Sequence, residues 1–236
     1  MLDSRCNLAC IMCTNIYDKT GGLRGDFFWE NNDDIFKQID ELELVGGEPV
    51  ISPYFDRIVK RVSSINPHCN WLITTNAHYK LTPQILDNFK KINLKSLSIS
   101  LDSLEADIFE KIRTRSTFSL VMDNIQILKK VVPKIFINMV IQEDNCDEVI
   151  KMYQWCQKEG FSFHPILLLY PDEFSIIKRS DTLNKEWILN LIKENAILQS
   201  KEIFYIIKKA ISNLPLKKDK DVLIPYLKHV EVMEGL

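Results

Sequence analysis

The 236-residue chain is short of several things, and each shortage excludes a class. It has no basic excess: 30 Lys and Arg stand against 32 Asp and Glu, for a formal net charge of -2. Nucleic-acid binders carry a basic patch or stripe, so no nucleic-acid partner is expected. No uninterrupted apolar run approaches the roughly 20 residues that span a bilayer, so no membrane partner is expected either. The first residues lack the charged, then apolar, then small pattern of a secretion signal. Three of the six cysteines crowd together near the start rather than being spread as a disulfide framework, which points to a reducing cytoplasm. Glycines number only seven, two of them adjacent at Gly46-Gly47. Repeats and low-complexity segments are missing. What remains, 46% apolar and 26% charged, is the composition of an ordinary globular protein of one domain, with at most a small appendage.

What is present begins with the run Cys6-Asn7-Leu8-Ala9-Cys10-Ile11-Met12-Cys13. Three thiolates this close can wrap one side of an iron–sulfur cluster. Four-iron clusters normally take four cysteines, so three leave one iron without a protein ligand. An open metal position separates catalytic from closed structural sites, as it does for zinc. A zinc site usually brings a second Cys-x-x-Cys or Cys/His pair, and no second pair exists here. Unrelated thiols are not expected to crowd eight positions. A cluster that binds something else at its fourth iron is the expectation.

Past the cysteines, short β-rich runs alternate with amphipathic stretches. The runs are Leu42–Val45, Trp71–Thr74, Leu97–Leu101, Lys134–Ile141 and Phe161–Leu169. Between them lie helix-like stretches at Asp33–Asp40, Tyr54–Ile65, Pro83–Lys91, Ser119–Val131 and Glu148–Glu159. Thr82-Pro83 reads as an N-cap followed by the first helical position. Gly160 reads as a C-terminal cap. Alternation at this period predicts βαβ units and a parallel sheet. The expected boundary is an α/β domain over residues 1–175, its sheet curled into a barrel or left open, and a helical extension over 176–236. Leu183–Ile197 and Lys201–Ile211 are its two helices, and Leu223–Leu236 is a short helix or loose tail. The turn Gly46-Gly47-Glu48-Pro49 follows an apolar run, and a glycine pair there lets the backbone turn sharply and approach a ligand. In parallel α/β folds, ligands bind at such strand ends.

Cys-Asn-Leu-x-Cys-x-Met-Cys followed by Gly-Gly-Glu-Pro resembles the radical S-adenosylmethionine (SAM) superfamily, and within it the branch of peptide maturases and the molybdenum-cofactor cyclase. Further matches come in order at Thr74-Thr75-Asn76, Ser98 to Ser103, Ile112-Arg113 and Ile137-Asn138-Met139-Val140. The resemblance covers about residues 3–170. It implies an α/β fold, a partial (β/α)6 TIM-like barrel, here with a clipped first strand because only Met1–Arg5 precede the first cysteine. It implies that Cys6, Cys10 and Cys13 bind a [4Fe–4S] cluster whose fourth iron is chelated by the amino and carboxylate groups of SAM. An electron donor such as flavodoxin or ferredoxin would then drive cleavage to a 5′-deoxyadenosyl radical. That radical would abstract hydrogen from a peptide or small-metabolite substrate. The protein's part is to orient the reactants and to exclude water and oxygen.

Carried over residue by residue, Gly46, Gly47 and Glu48 match the segment that pairs with the SAM amino group. Ser100 and Arg113 match a hydroxyl and guanidinium holding its carboxylate, for which a planar fork is apt. The alternative for Arg113 is a surface pair with Asp107 or Glu110, and Arg115 competes for the role. Thr75, Asn76 and Asn138 are within the region that would reach the ribose, unless Asn76 is a turn residue. Met12 would pack near adenine or serve as a plain core methionine. Cys69, Cys146 and Cys156 read as buried apolar cysteines, His164 as a core histidine, Tyr170, Asp172 and Glu173 as a solvated loop, and Lys217–Lys220 as solvated surface. Two readings from other classes stand beside the enzyme. One is an iron–sulfur redox sensor that never cleaves SAM. The other is an inactive truncated paralogue, prompted by the clipped start.

Overall fold

Trp71, Ile73 and Thr75 are buried while Asn70, Leu72 and Thr74 are half-exposed, and this period of two sets the first well-ordered strand pair. The computed structural model describes residues 4–13, 31–178, 181–214, 220–221 and 223–225. Its first elements are α1 (Asp33–Gln38), β1 (Glu41–Leu44), α2 (Phe55–Ile65), β2 (Asn70–Thr75), α3 (Pro83–Lys91) and β3 (Asn93–Ser100). There follow α4 (Ala106–Ile112), α5 (Phe118–Leu128), β4 (Ile135–Ile141), α6 (Val149–Glu159) and β5 (Ser162–Leu167). The chain continues in α7 (Asp181–Leu198) and α8 (Lys201–Asn213).

The strands form one open parallel sheet in the order β1-β2-β3-β4-β5, the partial-barrel arrangement. β1 pairs with β2 so that Leu44 meets Ile73, and β2 pairs with β3 so that Ile73 meets Leu97. The β2–β3 register shifts between Trp71 and Leu72. The described residues contain five strands, one fewer than the (β/α)6 expectation. The expected first strand falls largely on residues 1–3, outside the described residues, and Ser4 and Arg5 carry no strand. Parallel strands covered on both faces read as continuous apolar runs. Here β2 and β4 alternate instead, and half-exposed positions carry Ser98 and Ser100 of β3 and Asn138 of β4.

The chain divides into two compact units, Met1–Leu101 with Glu105–Ile137, and Asp102–Leu104 with Asn138–Leu236. In the first, α2 buries Phe55, Ile58, Val59 and Val62, a stripe at i, i+3, i+4 and i+7. Each such side chain contributes roughly 1.5–3 kcal/mol on burial. Phe55 meets Phe89 of α3 edge-on, with ring centroids 6.0 Å apart. The start of α3 is fixed by Thr82, whose hydroxyl accepts from the Ile85 amide at 3.3 Å, with Pro83 next. In the second unit, α6 ends at Gly160, whose φ of 74° suits a residue without Cβ. The Phe161 amide then closes on the Cys156 carbonyl at 2.8 Å, satisfying an end carbonyl. Helix α8 opens on a Ser200 cap and buries Ile203, Ile206, Ile207, Ala210 and Ile211.

The short helix α4 was not foreseen, because seven residues with two buried apolar side chains, Phe109 and Ile112, give little periodicity to read. The expected element at Leu223–Leu236 lies almost wholly outside the described residues, as do Lys217, Lys218 and Asp219. No helix among the described residues is long and apolar enough to cross a membrane.

Candidate cofactor-binding site

Residues 4–13 form neither helix nor strand, so their backbone groups must find partners elsewhere. They do so through main-chain bonds. The Ala9 amide donates to the Thr114 carbonyl at 3.1 Å and the Ile11 amide to the Ile112 carbonyl at 3.0 Å. The Glu48 amide donates to the Arg5 carbonyl at 2.8 Å. The Thr114 hydroxyl also donates to the Ala9 carbonyl, and the Arg5 guanidinium lies 5.6 Å from the Tyr54 ring centroid. The Cys13 amide closes a turn on the Cys10 carbonyl at 3.0 Å. Cys10 is thereby buried, while Cys6 and Cys13 are exposed.

Gly46 and Gly47 have φ of 91° and 38°, the left-handed region where a Cβ is penalised. Their turn sends the Glu48 side chain inward, where it is fully buried. Glu48 Oε1 accepts from the Thr75 hydroxyl at 2.7 Å and the Val50 amide at 3.2 Å. Its Oε2 accepts from the Asn76 amide at 2.6 Å. Burial pushes the carboxyl pKa up to about 7, against the opposing pull of these hydrogen bonds and of the Arg113 charge. Thr75 passes the link on: its oxygen accepts from the Ala77 amide at 3.1 Å and lies 3.2 Å from the Tyr79 hydroxyl. Burial first, and the Glu48 charge second, push the Tyr79 pKa up. Ala77 sits at φ 53°, a conformation that costs a residue with Cβ about 1–2 kcal/mol. Asn124 holds it there, donating to the Ala77 and Tyr79 carbonyls at 2.8 and 2.7 Å.

Donors also point at two of the thiols. The Cys6 sulfur receives the Leu8 amide at 3.4 Å and Asn76 Nδ2 at 3.6 Å. Arg113 Nη1 lies 3.7 Å from the Cys10 sulfur. Burial raises the Cys6 thiol pKa, and the Leu8 and Asn76 donors oppose that rise. Arg113 is buried directly after α4. Arg115 is exposed at φ 70°, so Arg113 is the arginine turned inward.

Of the residues singled out from the sequence, Cys6, Cys10, Gly46, Gly47, Glu48, Thr75, Asn76 and Arg113 come together in the first unit. Met12 is half-exposed in the cysteine turn, and Ser100 is half-exposed at the last position of β3. Asn138 belongs to the second unit, where its Oδ1 lies 3.0 Å from His164 Nδ1. His164 is exposed rather than in the core, because Phe163 and Pro165 take the buried parity of β5. Cys69, Cys146 and Cys156 are buried, as expected. Burial pushes the thiols of Cys146 and Cys156 up to about 12. Tyr170, Asp172 and Glu173 are exposed. Asn7, His78, Tyr79 and Asn124 were missed. Only Asn7 carried a signal, its place inside the cysteine motif.

Residues 4–156 match the family model described as the Radical SAM superfamily, and the chain belongs to that superfamily. It is similar to GTP 3′,8-cyclase of Nautilia profundicola, 24% identical over 195 residues that cover 76% of this chain and 58% of the relative. The chain spans about half the length of the curated relatives it matches, 58%, 47% and 39% of the first three. Among solved structures, SuiB of Streptococcus suis bound to S-adenosylmethionine shares the fold with a TM-score of 0.62 at 18% identity, over 84% of this chain and 47% of that one. Native anSMEcpe with bound AdoMet gives 0.65 at 16% identity, over 85% and 61%.

The superfamily's cofactors are SAM and a [4Fe–4S] cluster. Among the described residues no three Cys, His, Asp or Glu side chains converge as a metal group. The fit therefore rests on donor chemistry. Cysteine sulfur is the ligand such clusters take. N–H groups at Cys6 and a guanidinium at Cys10 favour the electron-rich sulfur of a bound cluster. The residues fit the group.

Proposed function

We propose that this chain is a radical SAM enzyme in which Cys6, Cys10 and Cys13 hold the cluster. When bound, the cluster would supply the electron that cleaves SAM to methionine and a 5′-deoxyadenosyl radical, which takes hydrogen from the substrate. The observation that carries the reading is the hydrogen-bonded path from Glu48 of the Gly46-Gly47-Glu48 turn through Asn76 to the Cys6 sulfur. A chance cluster of thiols has no need of a buried carboxylate two strand ends away.

In this reading the backbone of Gly46 and Gly47 receives the SAM ammonium, and Glu48 braces the turn from inside. Arg113, with Ser100, holds the SAM carboxylate while steadying Cys10. Thr75 shapes the ribose side, and Met12 packs near adenine. The barrel occupies residues 1–175 and a helical extension occupies 176–236. The protein works in a reducing cytoplasm, with flavodoxin or ferredoxin as donor. The substrate is a peptide or a small metabolite. The relatives' name as GTP 3′,8-cyclases supports the second, and the structure of SuiB bound to precursor peptide SuiA supports the first.

The test is anaerobic: reconstitute with iron and sulfide, add dithionite and SAM, and assay 5′-deoxyadenosine beside the variant Cys6→Ala/Cys10→Ala/Cys13→Ala. Product in the wild type alone establishes the reaction class. A cluster-loaded wild type that yields no 5′-deoxyadenosine overturns the enzyme reading and leaves a redox sensor.

A further inference from the structure

Asn76 meets the Cys6 sulfur across 70 positions of sequence, through a side chain whose orientation is fixed on every side. Its backbone amide is held by Glu48 Oε2 at 2.6 Å. Its Oδ1 accepts from the His78 amide at 2.8 Å. One Nδ2 proton goes to Asn7 Oδ1 at 2.9 Å, and the other is aimed at Cys6 at 3.6 Å. Asn7 cannot reverse, because its own Nδ2 donates to the His78 carbonyl. Nor can Asn76, since a flipped amide would set N–H against the N–H of His78 and oxygen against the Asn7 oxygen. The donor toward Cys6 is therefore preorganised and needs no rearrangement when the sulfur's charge changes.

We propose that Asn76 is a positioning residue that sets the reduction potential of the cluster through an N–H···S bond to Cys6, a role that rests on the radical SAM reading above. The reduced cluster carries one more negative charge, shared with the cysteine sulfurs. Hydrogen bonds to those sulfurs favour the reduced state and raise the potential. The Leu8 amide supplies one such bond from within the cysteine motif, at 3.4 Å. Asn76 supplies the one that depends on the fold, with Glu48 as its anchor. The step itself is a one-electron uptake from an added low-potential reductant of the dithionite class, and no bond forms or breaks.

The experiment is an EPR-monitored redox titration of the reconstituted full chain, comparing wild type, Asn76→Asp and Asn76→Ala. Asn76→Asp keeps the acceptor for the His78 amide, removes the donor and adds a negative charge beside the sulfur, whereas Asn76→Ala removes the donor without adding charge. At a fixed potential the reduced-to-oxidised ratio of Asn76→Asp should fall about tenfold, or about 59 mV for one electron. Asn76→Ala should fall less, because it adds no charge. Iron and sulfide per chain should match wild type in both. Unchanged midpoints at full iron content overturn the proposal and leave the radical SAM reading standing. Should neither variant hold a cluster, wild type labelled with 15N at the asparagine side-chain amides decides: a 15N hyperfine coupling in the reduced cluster supports the proposal, and its absence overturns it. A wild type that takes up no cluster overturns the radical SAM reading, and this inference with it.

Discussion

Glu48 and Glu148 are both buried carboxylates that follow the end of a strand and bind a hydroxyl and a backbone amide. Glu48, in the first unit, takes Thr75 and the amides of Asn76 and Val50. Glu148, in the second, takes the Ser103 hydroxyl at 2.7 Å and the Leu104 amide at 3.0 Å. Around it Asn145 donates to the Asp102 and Val140 carbonyls at 2.7 and 2.9 Å, and Asp102 accepts from the Val140 amide at 2.8 Å. The difference is where each network leads. The bonds around Glu148 return to backbone and fasten the loop after β3 to the segment after β4. Those around Glu48 continue through Asn76 to a thiol. Burial and hydrogen bonding are common to the two carboxylates; what differs is the last atom each network reaches.

That contrast is open to attack by mutation. Replacing Cys6, Cys10 and Cys13 together by Ala should abolish iron binding, measured by metal analysis, while urea denaturation shows stability within about 1 kcal/mol of wild type. Next in size, Glu48→Ala strands three donors in the interior and should cost about 3 kcal/mol in urea denaturation. Glu148→Ala strands two and should cost about 2 kcal/mol. Only Glu48→Ala should also impair iron uptake, and equal impairment by both would erase the distinction. Acidity sharpens it further. The folded pKa of Glu48, about 7, lies above its ordinary value of 4.5, so the native state holds the extra proton. The stabilising contribution is full below pH 4.5 and is lost as pH rises through about 7. Stability of the cluster-free protein should therefore fall by ~3 kcal/mol across that window on this account. Glu48→Gln should flatten the slope, at a cost of about 1–2 kcal/mol because its amide nitrogen must face an N–H. Smallest of all, Ser103→Ala should cost about 1 kcal/mol and leave iron content at the wild-type level.

Where a residue's role is set by its neighbours in sequence, it was legible there. Thr82-Pro83 marked the start of α3, and Gly160 marked the end of α6, because capping is local chemistry. The apolar runs located all five strands to within a few residues. Cys6, Cys10 and Cys13 stand out by their spacing, and the Gly46-Gly47-Glu48 turn by its place after an apolar run. The partners of Asn7 and Asn124 do not, since they lie 69 to 71 and 45 to 47 positions away. His164 was misread for a different reason. It lies in an apolar run, but period-two parity from its buried neighbours Phe163 and Pro165 puts it on the open side of β5. The inward turn of Arg113 over Arg115 likewise depends on where the short helix α4 stops, a boundary too weakly patterned to read.

The fastening of the cysteine segment has a consequence for how such a chain can change over generations. Ala9, Ile11 and Glu48 tie it down with main-chain N–H groups, and those donors are common to every amino acid but one. Side chains at positions 9 and 11 are therefore free to drift through the alphabet without loosening the loop. Proline alone is barred, because it deletes the donor itself. These ties can thus persist in lineages whose letters at positions 9 and 11 no longer agree.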